Sequence, residues 1–186
     1  MATMAIQKDS KIYIAGHTGL VGSAFARKLQ EEGFRNLLFR TSAELNLLDQ
    51  HATEAFLLHE KPDVVILAAA RVGGISANIA FPVQFLYENL QMQMNVIHSS
   101  WKAGVKRLLF FGASCMYPTT SSQPFKEASL FSGPLEPTNE AYALAKIIGA
   151  KLCTFYNKQY GTSYFCVIPT NLYGPCDTFH ADHAHL

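Results

Sequence analysis

Short, continuous apolar runs alternate with helical periodicity along almost the whole chain, and that alternation leaves few folds open. Residues 11–15, Lys-Ile-Tyr-Ile-Ala, form an apolar run that stops at Gly16, as a buried strand does. From residue 20 to 32, Leu20, Val21, Ala24, Phe25 and Leu29 return at helical spacing, with Gly33 placed to cap the end. Residues 37–40, 64–68, 108–112 and 164–168 read as further strands, and 49–59, 83–103 and 139–159 as further helices. The strands lack the polar alternation of a half-exposed sheet, so both of their faces must be covered. The pattern predicts an α/β domain with a doubly wound parallel sheet, in strand order 3-2-1-4-5. Residues 112–137 carry Pro118, Pro124, Pro134 and Pro137 and are too interrupted for a long element.

At 186 residues the chain is the size of one domain, without a linker or an internal repeat. Only 16% of it is charged, against roughly 25% in an average soluble domain. Lys and Arg number 15 and Asp and Glu 14, a balance that speaks against a nucleic-acid partner. Cys115, Cys153, Cys166 and Cys176 form no C-x-x-C pair, which argues for reduced, isolated thiols and against a zinc ribbon. The N-terminus has no apolar signal core, and no stretch reaches the ~20 apolar residues of a membrane span. A cytoplasmic protein without a membrane partner is expected.

Gly16-His17-Thr18-Gly19-Leu20-Val21-Gly22 lies between the first strand and the first helix. Alone, its glycines describe an ordinary turn. In this context each has a task at a nucleotide pyrophosphate: Gly16 turns the chain, Gly19 lets the backbone approach the phosphates, and Gly22 permits close packing. The helix N-terminus adds N–H groups and the positive end of a dipole. At the end of the second strand stand Arg40, Thr41 and Ser42, where an NAD enzyme usually offers Asp or Glu. A guanidinium and two hydroxyls suit a 2′-phosphate, which favours NADP(H), unless Arg40 is merely a solvated surface residue.

Tyr142 and Lys146 are four residues apart on one helix face, where the cation favours the phenolate and proton exchange with a hydroxyl or ketone. Without the glycine loop such a pair would be surface decoration. Ser114 and Cys115 follow the fourth strand at its carboxyl end, where this architecture builds sites. Ser114 can hydrogen-bond a substrate oxygen; Cys115 is either an acid/base thiol or a small buried hydrophobe. Cys153, Cys166, Trp101 and the Phe81–Phe85–Tyr87 group read as packing or subunit contacts. His180, Asp182, His183 and His185 crowd the tail, but H-x-x-H-x-H matches no standard ligand spacing, and no metal is expected.

With these residues assembled, the chain resembles the GDP-L-fucose synthases, epimerase/reductases of the extended short-chain dehydrogenase/reductase family. The resemblance runs nearly end to end. It is carried by residues 14–22, Glu44-Leu-Asn-Leu-Leu-Asp49, Ala68-Ala-Ala-Arg-Val-Gly-Gly-Ile75, Ser114-Cys-Met-Tyr-Pro118, Leu135-Glu-Pro-Thr-Asn-Glu140 and Pro169-Thr-Asn-Leu-Tyr-Gly-Pro175. It implies an NAD(P)-binding Rossmann domain over residues 1–186. It implies NADP(H) held by Gly16 to Gly22, the segment from Ser42, the end of the fourth strand, Lys146, Pro169 to Leu172 (Asn171 included) and His185. Tyr142 and Lys146 would be the reductase pair, and Cys115 and His185 the acid/base groups of epimerisation. The implied substrate is a GDP-linked keto-deoxy sugar, GDP-4-keto-6-deoxy-D-mannose, and a family-like homodimer is open to it. Other nucleotide-linked keto-sugars, or nucleotide binding without turnover, are the rival readings.

Two departures stand out. Ala113 occupies the place of the family's serine, and a shift of one residue to Ser114 turns a side chain to the opposite face of a strand. The family also continues beyond Leu186 into a substrate lobe, so this chain is expected to be incomplete, with little turnover of its own.

Overall fold

The computed structural model of the chain describes residues 6–177. Five parallel strands form one sheet: β1 (Ile12–Ala15), β2 (Leu37–Leu38), β3 (Val64–Leu67), β4 (Arg107–Phe111) and β5 (Ser163–Val167). Five helices connect or flank them: α1 (Leu20–Glu31), α2 (Gln50–Glu60), α3 (Ile75–Ala80), α4 (Pro82–Lys102) and α5 (Glu140–Tyr160). Local chemistry explains several ends. Asp49 caps α2 by accepting the Ala52 N–H at 3.0 Å, Pro82 opens α4, and Gly161 takes the left-handed conformation that stops α5.

The doubly wound sheet is as anticipated, but its order is β2-β1-β3-β4-β5, not 3-2-1-4-5. All four residues of β3 are buried, whereas both residues of β2 are only half-buried. A strand apolar on every side belongs inside the sheet, so β3 pairs with β1 along Ile12↔Val64 to Ala15↔Leu67 and leaves β2 at the edge. An outer neighbour for β2 would have to come from residues 41–49, which turn instead: Leu45 N–H bonds to Thr41 O and Asp49 N–H to Asn46 O. The unanticipated α3 is only six residues long, too short for periodicity to declare it.

Strand side chains alternate between two apolar layers. Tyr13, Val65, Leu67, Leu108, Phe110 and Tyr164 face α2, α4 and α5, where Leu57, Val96, Ile97 and Cys153 meet them. Ile12, Ile14, Val64 and Ile66 face α1 through Phe25, Ala26 and Leu29. On the α1 side the β5 end is less covered, and Phe165 and Val167 are exposed. Phe85 is buried, Trp101 packs against the layer that faces α2, α4 and α5, and Phe81 and Tyr87 are exposed. No helix among the described residues is long and apolar enough to cross a membrane.

Candidate active site

The carboxyl ends of the strands open on one cleft of about 740 Å³, astride the point where the chain winds away from β1 in both directions. Its floor is the loop from β1 into α1. Gly16 has φ +83°, and a Cβ there would lie 2.6 Å from the Ala69 nitrogen. A Cβ on Gly22 would lie 2.1 Å from the Gly16 carbonyl oxygen, so the helix can meet the loop only through glycine. A Cβ on Gly19 would meet only Gly16 O, at 3.6 Å, so that side of the loop is open. No side chain caps α1. Its first N–H groups and its dipole are therefore available to an anion, and the loop fits a dinucleotide pyrophosphate.

The loop residues Gly16, Thr18, Gly19, Leu20, Val21 and Gly22 all line the cleft. His17 does not: its ring packs against Phe39 with centroids 4.9 Å apart, and this apolar contact turns it away. Arg40 and Ser42 line one end. Arg40 is no solvated arginine, because Nη1 donates to Phe39 O at 2.7 Å, Nη2 stands 3.5 Å from Glu60, and the guanidinium covers the Phe56 ring.

Ser114, Cys115, Tyr142 and Lys146 line the other end, with Pro169, Asn171 and Leu172 beyond β5. Tyr142 stands one helical turn from Lys146, whose ammonium lies 5.5 Å from its ring centre and 4.9 Å from that of Phe110. Burial dominates the electrostatics here. It pushes the Tyr142 phenol well above its ordinary range, so Lys146 does not make it acidic in the open cleft. It pulls the Lys146 ammonium down to about 8 from 10.5, against the smaller upward pull of Cys166 and Cys115. It pushes the Cys115 thiol up to about 11, with Lys146 acting weakly in the other direction. Near neutral pH Cys115 is therefore a thiol, a proton donor and not a base. Ala113 and Ser114 both line the cleft. His185 and the rest of the histidine-rich tail lie outside the described residues. Among the described residues, no three His, Cys, Asp or Glu side chains gather as metal ligands would.

Several lining residues lie in the words that carry the resemblance but showed no chemistry of their own in the sequence. Leu45 to Leu48 form a wall because Asn95 on α4 donates to Leu47 O at 2.8 Å and Leu48 O at 3.2 Å. The loop after β3 is held at Arg71, whose N–H and C=O both bond to the Asn89 side chain, at 2.9 and 3.0 Å. Asn139, at the start of the helix bearing Tyr142, also faces the cleft. The small residues Ala68, Ala69 and Ala70 were the readable clue, since only short side chains at a strand end leave room for a ligand.

The sequence pattern of the NAD dependent epimerase/dehydratase family matches residues 12–186. The chain belongs to that family. It is 55% identical over 179 residues to GDP-L-fucose synthase 1 of Arabidopsis thaliana, covering 96% of this chain and 55% of the relative. It is 51% identical over 176 residues to GDP-L-fucose synthase of Escherichia coli (strain K12), covering 95% and 55%. Among solved structures, a GDP-D-glycero-L-gluco-heptose synthase from Campylobacter jejuni, in the presence of NADPH, superposes with a TM-score of 0.94. It has 44% identity over 98% of this chain and 53% of its own. A GDP-L-fucose synthetase from Naegleria fowleri bound to NADP gives a TM-score of 0.89 at 32% identity, over 98% of this chain and 60% of its own. The chain thus spans about half the length of the relatives it matches.

Proposed function

We propose that the cleft binds NADP(H) and that the protein epimerises and reduces GDP-4-keto-6-deoxy-D-mannose to GDP-L-fucose. One observation carries this reading: the open glycine loop, Arg40, Cys115, Tyr142 and Lys146 all line a single cleft. The relatives named GDP-L-fucose synthase support it, as do the neighbours described with NADPH and NADP. Gly16 to Gly22 would hold the pyrophosphate, Arg40 and Ser42 the adenosine ribose end, and Lys146 with Pro169, Asn171 and Leu172 the nicotinamide side. The chemistry the bound cofactor supplies is hydride for the ketone carbon.

The chain's own residues then divide the proton work. Tyr142 gives its proton to the ketone oxygen, and Lys146 at its ring eases that loss once substrate excludes water. Each inversion beside the ketone removes a proton from one face and returns one to the other. Cys115, protonated in the open cleft, suits the returning step, and His185 is the partner base that the resemblance supplies. Ser114, which lines the cleft, would hydrogen-bond the sugar oxygen in place of the absent serine at 113. A family-type homodimer is supported by the exposed Tyr87 and Met94 of α4 and Ile148 and Phe155 of α5. The heptose-sugar neighbours favour a second reading, reduction of another GDP-linked keto-sugar on the same residues.

The test follows two signals in the protein carrying this sequence: loss of NADPH absorbance, and solvent deuterium entering the carbons beside the ketone. Both should appear with the deoxymannose substrate. Hydride transfer without exchange would reduce the reading to a ketone reductase, and neither signal with any GDP-keto-sugar would remove it.

A further inference from the structure

Beside Arg40 and Thr41, which line the adenosine end of the cleft, stands an exposed carboxylate, that of Glu44. Thr41 donates its backbone N–H, at 2.7 Å, and its hydroxyl, at 2.8 Å, to one oxygen, Oε2 of Glu44. A backbone N–H and a hydroxyl converging on one anionic oxygen beside a guanidinium is the arrangement a phosphate oxygen seeks. Here a carboxylate has taken it. The two Thr41 bonds, with smaller contributions from Arg40 and His17, hold the Glu44 carboxyl below its ordinary range, so it is charged at neutral pH. Arg40 is answered in the same way, by Glu60 at 3.5 Å, and Glu60 also pairs with Lys11 at 3.3 Å. The two differ in burial. The Glu60 side chain is only 17% exposed and belongs to the packing, whereas Glu44 is exposed and able to respond to a ligand.

Resting on the NADP(H) reading above, we infer that Glu44 is a specificity-determining residue, an internal anion that competes with the ribose 2′-phosphate for Thr41 and Arg40. The two cofactors meet it differently. An unphosphorylated ribose brings a 2′-hydroxyl that can donate to a carboxylate, the service Asp or Glu performs in NAD enzymes. A 2′-phosphate brings further negative charge and needs the same donors. Glu44 therefore narrows the preference for NADP(H) that Arg40 and Thr41 create, and the protein accepts NAD(H) more readily than its arginine suggests.

The test is equilibrium titration of NADP⁺ and NAD⁺, with adenosine 2′,5′-bisphosphate against 5′-AMP as probes that lack nicotinamide. Glu44→Gln keeps an oxygen for the Thr41 bonds and removes only the charge. It should tighten NADP⁺ and the bisphosphate about five- to tenfold at low salt, with NAD⁺ and 5′-AMP within about twofold of the unmodified protein. Glu44→Lys should move the ratio further in the same direction. Glu44→Asp, which keeps the charge, should leave it within about twofold. An unchanged ratio in both Glu44→Gln and Glu44→Lys, or equal tightening of all four probes, overturns the inference while leaving the cofactor reading intact. Failure of the unmodified protein to bind either dinucleotide overturns both.

Discussion

The two ends of the cleft handle charge in opposite ways. At the Tyr142 end, Lys146 is a cation with almost no solvent, only 4% exposed, and no carboxylate among the described residues pairs with it. Its neighbours are two aromatic faces and two thiols, and its own charge is what burial penalises. At the Arg40 end Arg40 and Thr41 both have acidic or carbonyl partners; Arg40 is half-buried, and Thr41 and Glu44 are exposed. Desolvated charge without a partner is costly to keep and strong when used, whereas paired charge in water is cheap and weak. Under the function proposed above, the first end therefore suits reaction and the second suits choosing a ligand.

The most severe way to break this contrast is at the reacting end. Tyr142→Phe removes the proton donor and keeps the ring, so reduction should fall by about 100- to 10,000-fold, with dinucleotide affinity nearly unchanged. Equal loss of binding would mean that the hydroxyl holds the cofactor and not the proton.

Lys146 offers a test without substrate. Its pKa is about 8 in the fold against 10.5 ordinarily, so between those values the unfolded chain carries a proton that the folded chain does not. Stability attributable to this group therefore rises with pH across that window, and the full penalty applies below it. Lys146→Met should stabilise the protein at pH 7 by on the order of 3 kcal/mol in denaturant unfolding, with the gain fading as pH approaches 10.5. A gain independent of pH would point to packing and not to buried charge.

Cys115→Ser sharpens the division within the same end. Deuterium exchange beside the ketone should slow about 100-fold, while hydride transfer to an already epimerised intermediate changes less. Equal loss in both steps would make Cys115 a packing residue.

How much of this was legible in the sequence differs between the ends. The nearness of Tyr142 and Lys146 was readable because they sit on one helix, where spacing alone makes them neighbours. Their electrostatics were not, because the cation was read as acidifying the tyrosine and only the packed fold shows burial outweighing it. The glycine loop was readable for the same local reason, down to the positions where a Cβ would collide. Arg40 was readable as a position but not in its acidic partner, Glu60, which lies 20 residues away, and the contact of Glu44 with Thr41 crosses a turn that no periodicity announces. The sheet order failed similarly. Apolar runs located the strands to within a residue or two, but which side of β1 receives β3 depends on burial across the whole sheet.

The smallest expected effect lies at the choosing end and bears most directly on the claim that this cleft is an NADP(H) site with paired charge at its adenosine end. NADPH and NADH should be titrated into the unmodified chain and into Arg40→Glu, each at low and at high salt. The account predicts tighter NADPH binding by the unmodified chain, a gap that narrows with salt, and loss or reversal of the preference in Arg40→Glu by about tenfold in NADPH affinity. Equal affinity for the two cofactors at low salt, unchanged by Arg40→Glu, would contradict it.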